Sequence, residues 1–163
     1  MKLFFLAFAL FVNNVLAEIP SEYQAITIRP PFSFSERVFD ITHVVAQAKS
    51  EKKNILVYLG AQDCPPCHEY SKFLKQNFSD LKDDFSKVIF LEFDTWLTGP
   101  QIFIRIDGKD QKIKDFFEQA GDDKFRLRYP SFRLITPDLK LVKKSQIGII
   151  GLTTVEATRA MLR

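Results

Sequence analysis

The chain has 163 residues, with 23 Lys and Arg against 20 Asp and Glu and a formal net charge of +3, an excess too small to suggest nucleic-acid binding. Its two cysteines are too few and too close together to staple a small secreted scaffold, which uses several bridges across long loops. At this length the chain buries a core without such help.

The opening MKLFFLAFALFVNNVLAEIP carries one basic residue, Lys2, then an apolar run from Leu3 to Val12, then Val15 and Ala17. This is the form of a secretory signal, residues 1–17, cut after Ala17. The alternative, an uncleaved membrane anchor, asks for about twenty apolar residues, and the run has about half of that. Cleavage removes Lys2 and leaves a net charge of +2 (3 minus 1). Residues 18–38, with Pro20, Pro30 and Pro31, read as an extended N-terminal arm in which AITIR (Ala25–Arg29) has the form of a short strand.

From 39 to 163 the pattern is that of one α/β domain. Ile41, Val44, Val45 and Ala48 recur at helical spacing behind Asp40, which suits the first turn, so a helix is expected to about Ser50. NILVYLG is an almost wholly apolar run closed by Gly60, as a buried central strand should be. It leads directly into CPPC. Cys67, Tyr70, Leu74, Phe78, Leu81 and Phe85 then hold one apolar face, predicting a single helix of about five turns that starts at the cysteines. VIFLEF (Val88–Phe93) is a second buried strand, which makes a parallel crossover unit. IFIRI alternates like an edge strand, DGK turns, and Ile113, Phe116, Phe117 and Ala120 mark a short helix ended by Gly121. SFRLIT and LKLVKKSQI flank Pro137 and Asp138 as a hairpin, and Thr153 with Glu156 forms a capping box for a last helix.

Cys64 and Cys67 carry the chemistry. A thiol attacks as the thiolate, and the free N–H groups and positive dipole end of a helix favour that anion. In C-x-x-C at a helix start the first sulfur is expected to face outward and the second to lie behind it, so that one attacks and the other resolves. Pro65 suits a helical position whose N–H has no use, and Pro66 removes another donor, which leaves the Cys67 amide for the thiolate. Two other readings stay open. A zinc site drawing on His43 and His68 lacks a second C-x-x-C or spaced histidine pair, and a purely structural bridge closes too short a loop to stabilise much.

Strand, CPPC at a helix start, strand, helix and then YPSF (Tyr129–Phe132) before a hairpin and final helix resembles the thioredoxin superfamily over roughly residues 40–163. The approach AKSEKKNILVYLGAQDCPPC also resembles the thioredoxin-like domains of periplasmic disulfide reductases of the DsbD type. The resemblance implies a thioredoxin fold with a central mixed β-sheet flanked by helices, and a cis-proline, matched by Pro130, packed beside the cysteine pair. It also implies a substrate strand pairing near Tyr129. Two positions depart from thioredoxins proper. The buried Asp six residues before the first cysteine is Tyr58 here, and the Trp just before that cysteine is Asp63. Between the second core strand and Pro130 lies an insertion, residues 95–124, which the resemblance makes about twenty residues longer than thioredoxin needs.

The expected function is thiol-disulfide exchange with protein substrates in the periplasm, using Cys64 as nucleophile and Cys67 as resolving thiol, with Tyr129 and Pro130 in the substrate groove. No dissociable cofactor or metal is called for, and a membrane redox partner would set the direction. The rival is a thioredoxin-fold binding or assembly module with idle cysteines. His68 reads as a surface residue one turn after Cys64, Trp96 as packing, and Lys143 and Lys144 as a solvated strand end.

Overall fold

Strand propensity and burial on both faces place the run Ile55–Ala61 at the centre of the molecule, and all seven of its residues are buried. The computed structural model describes residues 19–31, 33–145 and 153–163; residues 1–18, where the signal segment is expected, Phe32 and the stretch from Gln146 to Leu152 lie outside the described residues. The strands are β1 (Ile26–Ile28), β2 (Glu36–Asp40), β3 (Ile55–Ala61), β4 (Ile89–Thr95), β5 (Gln101–Ile106), β6 (Lys109–Lys112), β7 (Ser131–Ile135) and β8 (Leu141–Lys144). The helices are α1 (Thr42–Glu51), α2 (Pro65–Gln76), α3 (Phe78–Phe85), α4 (Ile113–Ala120) and α5 (Val155–Leu162).

The main sheet has the order β1-β4-β3-β7-β8. β1 runs parallel to β4 and β4 parallel to β3, whereas β7 is antiparallel to β3 and β8 to β7. Alternation along the buried strands feeds two cores. Ile55, Val57, Leu59, Ile89, Leu91 and Phe93 meet α1 and α4 on one face. Leu56, Tyr58, Phe90, Phe132 and Leu134 meet α2, α3 and α5 on the other. The result is α/β, a central mixed sheet flanked by helices.

AITIR does pair, as the edge strand β1 against β4. A second, three-stranded sheet of order β2-β5-β6 has no counterpart in the expectations above. β2, from the end of the arm, runs parallel to β5 from the insertion, Glu36 opposite Gln101 through Asp40 opposite Arg105. IFIRI is thus a central strand and not an edge. Its alternation reflects one buried face, where Ile102 and Ile104 join Phe39, Phe116 and Phe117 in the core.

Other boundaries differ for local reasons. The long helix after the cysteines is two helices, α2 and α3, parted at Asn77, whose side chain donates to the Phe73 carbonyl at 2.8 Å. Asp40 ends β2, and its carboxylate accepts the Thr42 N–H at 3.0 Å, so α1 begins at Thr42. Thr154, and not Thr153, caps α5 by accepting the Ala157 N–H at 3.1 Å. Gly121 ends α4 as expected, with φ +112° in the left-handed region.

One buried ionic cluster fixes β7. Asp122, 1% exposed, accepts from Arg133 Nε at 3.2 Å and from Lys144 Nζ. The Arg133 guanidinium also lies 4.6 Å from the Phe125 ring centre. Burial pushes the Arg133 pKa down while Asp122 holds it up. Lys143 donates to the Ala160 carbonyl at 2.7 Å, at the end of α5. Both lysines lie exposed at the end of β8, as expected from their position, and each also has a partner.

Candidate active site

β3 delivers the chain to Cys64, which is the N-cap of α2. An N-cap side chain ordinarily accepts from the second or third amide of its helix. Here the first two helical positions are Pro65 and Pro66 and have no N–H, so Cys67 supplies the first amide, which is shared between the Cys64 carbonyl at 2.9 Å and Cys64 Sγ at 3.2 Å. The two sulfurs are joined as a disulfide, with Cα atoms 5.2 Å apart.

Both sulfurs are covered. Cys64 is 1% exposed and Cys67 fully buried, in a small cluster with Ala61 against which Tyr129 packs. The outward-facing first sulfur expected from the motif is therefore not seen in the bridged form, because Tyr129 lies over the pair. Pro130 is buried, follows Tyr129 through a cis peptide bond, and directly precedes β7. The sheet thus brings Cys64, Cys67, Tyr129 and Pro130 to one end of β3. His68 is half-buried, and its N–H donates to the Cys64 carbonyl at 3.2 Å.

Solved structures that resemble the chain include three thioredoxins. That from Trypanosoma brucei brucei is 18% identical, covering 83% of this chain and 96% of its own, with a TM-score of 0.40. Mitochondrial thioredoxin 3 from Saccharomyces cerevisiae, in its oxidised form, is 16% identical over 86% and 94%, with a TM-score of 0.42. Thioredoxin f from spinach chloroplast is 18% identical over 81% and 99%, with a TM-score of 0.39. No family model and no curated protein matches the chain. These scores describe a partial overlap of chain paths, so the fold is assigned from its own topology. Two parallel strands precede an antiparallel hairpin, and C-x-x-C opens the helix between β3 and β4. The chain has a thioredoxin fold.

Within this thioredoxin fold the position six residues before Cys64 is fully buried Tyr58, whose hydroxyl has no hydrogen-bond partner among the described residues. Burial, then the charge of Glu92 opposite it on β4, then Tyr70, push its phenol well above the ordinary value, so it stays neutral. The Tyr58 ring leans along the strand over Gly60, where a Cβ would stand 2.5 Å from Cε1. Gly60 is thus the residue that makes room for the tyrosine. Glu92, 2% exposed, accepts the Ile19 N–H at 3.0 Å and the Thr27 hydroxyl at 2.7 Å, which ties the arm to the sheet.

The insertion divides between two places. Its β5 and α4 pack on the α1 side of the main sheet, with β6 paired to β5. Its first residues instead border the cysteines: the Gln62 N–H donates to the Thr95 carbonyl at 2.8 Å, and Asp63 Oδ1 accepts the Leu97 N–H at 2.7 Å. Trp96, expected as packing, is 52% exposed. Beside it opens a cavity of about 650 Å³ at the ends of β1 and β4, which no motif signalled because its walls come from three distant segments.

Proposed function

We propose that the protein is a thiol-disulfide oxidoreductase acting on protein disulfides through Cys64 and Cys67. The observation that carries this is the Cys67 amide directed at Cys64 Sγ from the start of α2. A donor there stabilises negative charge on Cys64 and not on Cys67, which supports Cys64 as the nucleophile. In the reducing direction the Cys64 thiolate attacks one substrate sulfur and the other leaves as a thiolate that takes up a proton. Cys67 then loses its proton and attacks Cys64 Sγ, forming the intramolecular disulfide and expelling the second substrate thiolate. Two electrons and two protons pass from the enzyme dithiol to the substrate. The oxidising direction is the reverse.

Tyr129 and Pro130 form the wall at which a substrate strand pairs, and Tyr129 must shift for a second chain to reach the buried sulfur. The N-terminal sequence supports export to the periplasm, and the approach to CPPC supports electron exchange with a membrane partner of the kind that serves DsbD-type domains. Neither needs a dissociable cofactor.

The burial of both sulfurs favours a second reading, a non-catalytic binding or assembly module whose disulfide is permanent. Turnover of hydroxyethyl disulfide by the reduced protein separates the two: a catalytic centre turns over, and a permanent bridge does not. The reduction potential then gives direction, about −270 mV for a thioredoxin-like reductant and about −120 mV for a strong oxidant.

A further inference from the structure

The cavity beside Trp96 has a chemical character of its own. Its charged walls, among the described residues, are Arg29, Arg37 and Asp94, two cations against one anion. Asp94 is already engaged, by Arg29 Nε and by Gln62 Nε2 at 2.9 Å. Among the described residues Arg37 is held by neutral acceptors: the Thr95 hydroxyl, the Pro100 carbonyl at 3.0 Å and the Trp96 carbonyl at 3.1 Å. Three acceptors fix the guanidinium in place without neutralising it. A positioned cation in a concave site, with no carboxylate partner among the described residues, suits recognition of a carboxylate. Trp96 and Pro31 supply apolar wall beside it.

The cavity is also coupled to the cysteines. Gln62 belongs to its wall and lies two residues before Cys64. Asp63, the next residue, is bonded to Leu97 on the far side of the Trp96 loop. Burial pushes the pKa of the Tyr129 phenol up, Arg37 and Thr95 draw it down in part, and Asp63 adds to the rise, so both walls of the loop act on the ring that covers the disulfide. Tyr129, on which Arg37 and Thr95 act, is the residue packed against Cys64 and Cys67. The volume, about 650 Å³, is in the range of roughly 300–1,000 Å³ typical of sites for small ligands, room for a few side chains and not for a lone carboxylate.

Resting on the oxidoreductase reading above, we infer that this cavity is a specificity site for the substrate polypeptide: it takes an acidic segment flanking the exchanged disulfide, with a carboxylate on Arg37 and apolar contact on Trp96. Asp63 repels the same charge on the cysteine side of the loop, so the acidic residue sits away from the reacting sulfur and the segment is held in one direction. A basic segment meets Arg37 unpaired and is rejected.

Trp96 is the single tryptophan of the chain, so its fluorescence reports on the cavity without any turnover. The oxidised protein is titrated with the cysteine-free peptide acetyl-Ala-Glu-Phe-Glu-Ala-amide, with its Lys-for-Glu counterpart and with free glutamate. The expected result is a saturable change with the Glu peptide, at least tenfold weaker binding of the Lys peptide and of free glutamate, and at least tenfold weakening of the Glu peptide by Arg37→Gln, partly restored in Arg37→Lys. Absence of a saturable change, equal binding of both peptides, or free glutamate binding as well as the peptide overturns the inference. The two-peptide comparison on the wild-type protein stands even if the Arg37 variants do not fold. Turnover of hydroxyethyl disulfide, which is neutral and too small to need the cavity, tests the oxidoreductase reading apart from this. Turnover without peptide discrimination removes the specificity site alone, whereas peptide binding without turnover removes the exchange reading and the bound segment's role as substrate.

Discussion

The amide of Cys67 points at the sulfur of Cys64 across 3.2 Å, and two prolines ensure that it is the first amide of α2. In the reduced protein, iodoacetamide at mildly acidic pH is therefore expected to label Cys64 ahead of Cys67, as read by peptide mass mapping. Pro66→Ala adds a second donor at the position that commonly serves an N-cap. Labelling of Cys64 should then persist to lower pH and the half-labelling pH should fall, by up to about one unit for an added bond of about 1.4 kcal/mol. An unchanged labelling profile would mean that the added amide does not reach the sulfur.

Tyr58 and Gly60 share one face of β3, the ring of one filling the space above the other. Gly60→Ala brings a methyl carbon within 2.5 Å of buried ring atoms, and urea denaturation should show a loss of about 1–3 kcal/mol. Tyr58→Leu should recover part of that loss in the double variant. Tyr58→Phe keeps the ring and removes a buried hydroxyl that has no partner among the described residues, so it should leave stability equal or raise it by about 1 kcal/mol. A loss in Tyr58→Phe would show that the hydroxyl is satisfied in solution.

Asp122 is the shared anion of a buried cluster. Asp122→Asn leaves Arg133 in the core without a counter-charge, at an expected cost of about 3–5 kcal/mol and a fall in Tm of roughly 10 °C. Replacing both residues by Leu and Met should recover most of it, because an apolar pair carries no desolvation cost. Calorimetry on the single and double variants checks both statements.

Asp84 links α3 to α5. Burial pushes its carboxyl up, but hydrogen bonds from Arg159 at 2.9 Å and Lys87 at 3.2 Å outweigh this, and the net pKa is lowered. A lowered carboxyl pKa stabilises the fold fully above the unfolded value of about 3.9, and the contribution disappears as pH falls through the lower folded value. Arg159→Ala should therefore cost about 1 kcal/mol at pH 7 and shrink that difference towards acid pH, measured as denaturation midpoints from pH 7 to 2.5. A difference that stays constant with pH would remove the ionic part of the contact.

What could be read from the sequence was whatever depends on neighbours along the chain. The apolar run into Gly60, the proline-filled first turn after Cys64 and the Pro137–Asp138 hairpin are local signals, and β3, α2, β7 and β8 follow them. Pro130 before β7 was legible through its match to a known arrangement. The misses are non-local. β2 and β5 find each other across 65 positions (101 minus 36), and no pattern within either strand names its partner. The cover of Tyr129 over Cys64 and the meeting of Arg37, Asp94 and Trp96 around one cavity likewise exist only once distant segments are packed. Asn77 broke a helix whose apolar spacing ran on unbroken, because the spacing reports which face is buried and not whether the axis continues.

The pairing of β2 with β5 also has a consequence for biogenesis. At a synthesis rate of about 5–20 residues per second, β2 emerges roughly 3–13 s before its partner exists. For that interval it is a lone strand with open backbone groups, and Glu36, Arg37 and Asp40 along its length are charges that discourage pairing with other chains. Arg37 therefore answers two demands at different times, guarding a nascent strand first and lining the Trp96 cavity afterwards. Excising the insertion would return β2 to its unpaired state permanently, leaving its backbone groups open along Glu36–Asp40.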